Sequence, residues 1–215
     1  MFDRLEETGY FVRLDKDVRP RMFHGATISE AELHALRQIK NMVRMGRVSA
    51  LKADEIVLEE GTIPTTPGTI HVDCTASAIT NEEIKPIFQD DLITPQMVRS
   101  YQPIFSAAFI AHVEATRQTD KEKNQLCQVV PLPNSDTDFI RFTSVNMLNQ
   151  YNWSREPDLR EWLKQNRLDG FSKMISQIEP DDEAKKAIML RIKEASFPAG
   201  MKLQEYVAEL NRSVG

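Results

Sequence analysis

A chain of 215 residues with 41% hydrophobic and 27% charged side chains can hold one sizeable domain, or one domain and a small helical appendage. Its formal net charge of −5 offers no basic footprint for nucleic acid, and no apolar run approaches the roughly 18 residues that cross a bilayer. The start Met1-Phe2-Asp3-Arg4 interleaves charge with apolar residues and is no signal peptide, so a cytoplasmic protein without nucleic-acid or membrane partners is expected.

Residues 2–8 carry a short helical pattern with Gly9 as its stop. Tyr10 to Asp15 reads as a strand, and Pro20 and Gly25 mark the loop after it. Ser29 and Glu32 form an S-x-x-E capping box. Leu33, Leu36, Ile39 and Val43 then recur at three- and four-residue spacing, which predicts an amphipathic helix ended by Gly46. Val48–Leu51 and Glu55–Leu58 are predicted strands. A third is expected over Thr69–Asp73, after a loop holding Pro64 and Pro67.

Thr94 followed by Pro95 predicts a helix start, with Pro103 kinking or restarting the helix. Ile104 to Ala115 is rich in small residues, among them Ser106, Ala107, Ala108, Ala111 and Ala115, and is expected to be deeply packed. Asp120–Asn124 reads as solvated. Pro131 opens a linker or domain edge over 131–155, within which Phe139–Phe142 alternates weakly like a strand. From Glu156 the pattern is helical. Pro157 opens one helix with Leu159, Trp162 and Leu163 inward, and Phe171, Met174, Ile175 and Ile178 mark a second. A third, Asp181–Ala195, is expected to bury Ala184, Ala187, Ile188 and Ile192; Leu203, Tyr206, Val207 and Leu210 mark the last.

The cysteines, Cys74 and Cys127, form no C-x-x-C and read as small buried or half-buried thiols. His24, His34, His71 and His112 fall in no metal-ligand spacing, so no metal site is expected.

Arg19-Pro20-Arg21-Met22-Phe23-His24-Gly25-Ala26-Thr27, the Gly46-Arg47-Val48 step, Val72-Asp73-Cys74-Thr75-Ala76 and Thr94-Pro95-Gln96 come in a definite order. Together they resemble the C-terminal half of bacterial NAD(P)/FAD-dependent oxidoreductases, the pyridine-nucleotide-disulfide-oxidoreductase-like flavoproteins, over most of residues 1–130. The resemblance implies FAD and NAD(P) as cofactors. It also implies an α+β chain that is a fragment of an α/β FAD/NAD(P)-binding fold. In that organisation residues 1–130 form a partial domain with a short β-meander and packed helices, 131–155 a linker or domain edge, and 156–215 a helical C-terminal region. The G-x-G-x-x-G turn that opens such enzymes is missing, since no two of the eight glycines lie two residues apart. Cys74-Thr75-Ala76 stands where many such flavoproteins carry Ala-Thr-Gly.

The cofactor-binding set implied by the resemblance is Asp73, Cys74, Thr75 and Ala76, where small residues let the backbone run close to a dinucleotide, with Thr94 and Gln96. Those two would sit at a helix N-terminus whose free amides face the flavin pyrimidine edge. Arg44 and Arg47 could meet a nucleotide phosphate or simply be solvated. Asp90 and Asp91 form an acidic pair without an acid/base partner, Trp153 and Trp162 read as core anchors, and no catalytic residue is assigned. The chain is thus expected to be part of a flavin- and NAD(P)-dependent oxidoreductase that does not hold FAD stably on its own. Its partner would be a missing N-terminal half or a second copy in a homodimer. The alternative is a non-catalytic protein-interaction or dimerisation module, with the Met-containing tail over 156–212 as its binding surface.

Overall fold

Three helices begin with the same reciprocal device, in which a hydroxyl accepts an amide proton three residues on and a carboxylate reaches back to the cap amide. The pairs are Ser29 with Glu32, Thr119 with Glu122 and Ser135 with Asp138. The computed structural model describes residues 1–75, 83–169, 175 and 177–213. Helices and two small antiparallel sheets alternate along it, an α+β composition. The chain divides into two units, one built from Met1–Arg19 and Thr27–Glu82, the other from Pro20–Ala26 and Glu83–Gly215.

In the first unit, helix α1 (Phe2–Glu7) stops at Gly9, whose φ of +76° suits glycine. The expected strand over Tyr10–Asp15 does not form. The amides of Tyr10 and Phe11 turn back to the Leu5 carbonyl, and Arg37 donates to the carbonyls of Arg13 and Leu14, so the groups a ladder needs are spent locally. Helix α2 (Glu30–Leu36) is shorter than its stripe predicted. Leu33 is buried, but Leu36, Ile39 and Val43 are 41%, 57% and 45% exposed.

Strands β1 (Val48–Leu51), β2 (Glu55–Leu58) and β3 (Gly61–Pro64) form an antiparallel sheet in that order, with β2 and β3 joined at Leu58↔Gly61. The third strand therefore follows β2 at once. Residues 69–73 are not strand, and Ile70 and Val72 stand exposed.

In the second unit, strands β4 (Phe88–Gln89) and β5 (Leu92–Ile93) form a hairpin turned at Asp90, whose φ is +53°. The Asn124 side chain donates to the Phe88 carbonyl and accepts from the Phe88 amide, tying the hairpin to α4 (Asp120–Leu126). α4 is less solvated than its sequence suggests: Lys123 is buried and bonds Glu114 at 2.6 Å. Helix α3 (Pro103–Thr116) begins with Pro103 at its first turn, where the absent amide costs nothing. No helix begins at Thr94.

Residues 136–155, expected within a linker or domain edge, are the long helix α5 (Asp136–Arg155). Phe139–Phe142 is its first turns and not a strand. Phe139, Phe142, Asn149 and Trp153 recur at helical spacing, a longer-range pattern than the four-residue alternation. Helix α6 (Pro157–Gln165) follows with Pro157 at its first turn. The core joins Ile87, Phe88, Val98, Phe105, Phe109, Val113, Trp153 and Leu159, with Trp162 and Leu163 packed against it. Trp153, 4.4 Å from Phe109 between ring centroids, donates Nε1–H to the Leu126 carbonyl and so buries no unpaired polar atom.

Helix α7 (Glu183–Ser213) is one helix where two were expected, with Pro198 inside it. Its C-terminal half lies along α5: Leu203 is buried and Arg141 donates to the Asn211 side chain at 2.6 Å. Ala184, Ala187, Ile188 and Ile192, expected to be buried, are exposed. The segment Phe171, Met174 lies outside the described residues.

Pro20–Ala26 joins the second unit as a strap. The Phe23 amide donates to the Asn134 carbonyl at 3.2 Å, and the His24 Nε2 and Asn134 Oδ1 atoms lie 2.7 Å apart. Gly25, at φ +73°, lies so close under the Tyr101 ring that a Cβ would meet it at 2.1 Å.

Candidate functional site

The implied cofactor residues fall into two separate groups. In the first unit, Asp73, Cys74 and Thr75 are exposed and outside regular structure. Asp73 Oδ1 accepts from the Thr75 amide at 2.8 Å and from the Thr75 hydroxyl at 2.6 Å, which holds its carboxyl below the ordinary range. The turn satisfies its own polar groups, as Asp and Thr do in loops. Ala76 lies outside the described residues. Arg44 pairs with Asp15 at 2.7 Å.

In the second unit, the Thr94 amide donates to the Ile87 carbonyl at 2.8 Å and Gln96 donates its side-chain amide to the Lys85 carbonyl at 2.7 Å. Both residues extend the hairpin and do not open a helix. The helix N-terminus expected to present free amides is therefore absent at Thr94. Asp90 and Asp91 form the hairpin turn, the Asp90 amide donating to Asp120 at 2.7 Å.

The structure brings together other side chains that lie far apart in the sequence. Arg99 and Asp169, 2.9 Å apart, are both buried, and the Arg99 guanidinium lies 4.8 Å from the Phe105 ring centroid. Asn149, wholly buried, donates to the carbonyls of Val98 and Gln128 at 2.8 and 2.7 Å while its Oδ1 has no partner. Tyr101 holds φ at +51°, uncommon without glycine. Asn149 pins the irregular 97–102 segment to α5 and Asp169 ties it to the residues after α6; an asparagine in mid-helix is the one faint sequence signal.

His112 stacks on Trp162 at 5.0 Å, its Nε2 buried without a hydrogen bond. Burial lowers its pKa, with Asp158 opposing and Arg117 reinforcing the shift. Arg117 grips Asp158 through two bonds of 2.8 and 3.2 Å, which holds that carboxyl below its ordinary range. The Cys127 thiol is pushed up to about 12 by burial and is a core side chain, whereas Cys74 is exposed. Among the described residues no cluster of His, Cys, Asp or Glu could hold a metal ion, and no helix is long and apolar enough to cross a membrane.

The concave feature beside Thr94 is an open groove of about 360 Å³ lined by Ile93, Pro95, Ala107, Ile110, Ala111, Glu114 and Ala115. The small residues of α3, expected to be deeply packed, thus divide. Phe105, Ser106, Phe109, Ile110 and Val113 face the core, while Ala107, Ala111 and Ala115 face outward and Ile104 is 72% exposed.

No protein-family model and no solved structure matches the chain. It is similar to uncharacterized proteins of Mycobacterium tuberculosis and Mycobacterium bovis, 38% identical to each over 203 residues. The match takes in 94% of this chain, and the chain spans 38% of the length of these curated relatives.

Proposed function

We propose that the chain acts as a non-catalytic protein-interaction module. The observation that supports this reading is helix α3: it is apolar around nearly its whole circumference, yet only one side meets the core. A helix of that composition is normally covered on all sides, and an uncovered apolar groove rimmed by a carboxylate is the form of a contact surface. Purified chain titrated with FAD, NADH and NADPH is expected to retain no stoichiometric flavin and to oxidise no nicotinamide. One flavin per chain surviving gel filtration, with turnover, would end this reading.

A second reading makes the chain part of a flavin- and NAD(P)-dependent oxidoreductase. It is favoured by the greater length of the mycobacterial relatives, which leaves room for a glycine-fingerprint segment, and by the order of motifs through residues 19–96. The intact mycobacterial relative would then purify with flavin, and a colourless relative that takes up none on titration would sink it.

A further inference from the structure

We propose that the outer groove of α3 is covered by the N-terminal arm of α7 from a second copy of this chain, each copy giving an arm and receiving one. This rests on the interaction-module reading and names its partner. Among the described residues, two apolar surfaces of the second unit are left uncovered, and they differ in shape. The arm, residues 183–197, is a ridge: Ile188 and Ile192 stand one turn apart, 53% and 46% exposed, on the same helical stripe that buries Leu203 farther along. The groove is a trough, lined by Ala107, Ala111 and Ala115 at the same four-residue spacing together with Ile93 and Pro95. Branched side chains at i and i+4 on one helix seat between small ones at i and i+4 on another when such ridges interdigitate. At 1.5 Å per residue the arm is about 22 Å long, enough to run the length of the alanine trough, about 12 Å.

Charge agrees with shape. Of the arm's basic residues, Lys185 pairs with Asp182 at 2.7 Å and Lys186 with Glu183 at 2.8 Å, which leaves Arg191 and Lys193 against Glu194 near the isoleucines. The groove has Glu114 on its wall, and the Asp90–Asp91 turn leads by β5 into Ile93. Glu114 is paired with Lys123 but remains partly exposed. Two arms facing each other would bring like charge together, so arm-in-groove contact is favoured over arm-on-arm contact. Among the described residues of one chain, nothing covers the arm or the groove. A two-fold pair covers both arms and both grooves with one repeated contact, the usual closure of a homodimer.

The test is the oligomeric state of the full 215-residue chain by sedimentation and light scattering. A dimer is expected. The double variant Ile188→Asp with Ile192→Asp, and separately Ala111→Trp, should each weaken association at least about tenfold while the far-ultraviolet spectrum is unchanged. Mixed in equal amounts the two variants should recover part of it, because one retains a sound groove and the other a sound arm. Should either variant misfold, differently tagged Ala111→Cys and Ile192→Cys chains in a Cys74→Ser background should give a cross-chain disulfide under mild oxidation. A monomeric native chain, a dimer that survives both variants, mixing without recovery, or absence of the cross-link overturns the proposal. None of these touches the interaction-module reading, which fails only on flavin retention with turnover.

Discussion

His112 is held neutral because its ring lies on Trp162 with Nε2 shut away from water. Its folded-state pKa is lowered from the ordinary 6.5, so the unfolded chain takes up a proton more readily. The resulting stability is complete above the unfolded value and is lost as pH falls through the folded one. Melting temperature should therefore drop as pH falls below the ordinary histidine value of 6.5, and His112→Phe should flatten that limb while keeping the stack. An unchanged limb in the variant would show that another group carries it. Asp158 adds a separate limb at lower pH, since Arg117 holds its carboxyl below 3.8. None of this was legible in the sequence, where His112 is one histidine in an apolar helix and Trp162 lies fifty residues away. A second contrast concerns two leucines. Leu159 is wholly buried and Leu36 is 41% exposed. Leu159→Ala should cost about 2–5 kcal/mol in chemical denaturation, and Leu36→Ala no more than about 1 kcal/mol. The apolar stripe of α2 marks residues that can be buried; only a neighbouring element buries them.

At the scale of elements, signals that act within a few residues were the readable ones. The Ser29–Glu32 box, Gly9, Pro157 and the β1–β2 pair stand where the sequence puts them, because each depends on backbone groups a turn away. Strands over 10–15 and 69–73 fail for the opposite reason: a strand needs a ladder partner, and sequence alternation supplies none. The helix expected at Thr94 fails because Thr94 bonds Ile87 across the hairpin. The box at Ser135 carries Asp138 where the usual pattern has Glu or Gln, yet it starts α5. Ser135→Ala should cost about 1 kcal/mol, measured by denaturant titration. Pro198 deletes the amide that would bond the Glu194 carbonyl inside α7. Pro198→Ala should stabilise the second unit by about 1–3 kcal/mol and raise its helical signal; a loss of stability would mean that the proline is needed for α7 to pack along α5.

For the molecule as a whole, core residues are unevenly shared. The buried hydrophobics of the first unit are Leu33 and Leu58 among the described residues, while those of the second include Phe105, Phe109, Trp153 and Leu159. With so little apolar area removed from water, the first unit has a small local barrier to opening. Hydrogen exchange should find the amides of β1 to β3 and α2 poorly protected, and those of α3 and α5 protected close to the global limit. Equal protection in both units would refute this. The candidate cofactor turn at Asp73–Thr75 belongs to the sparse unit, which is where resemblance to a flavoprotein and physical packing pull apart: the motif order lies in the sequence, but the buried surroundings a bound dinucleotide requires are not formed around it by the described residues.

The strap has a consequence in time. His24 and Asn134, which it joins, are 110 positions apart. Drawing together ends so distant costs about 4 kcal/mol of chain entropy beyond the fixed term. During synthesis the strap leaves the ribosome before its seat and waits, unseated, while residues 27–82 of the first unit and then α3 and α4 are made. Its seat is complete only when the turn at Asn134 and the start of α5 have emerged behind it. A chain paused before that point would carry Phe23 in the open, accessible to chaperones and proteases, and release of the pause would half-bury it against the second unit.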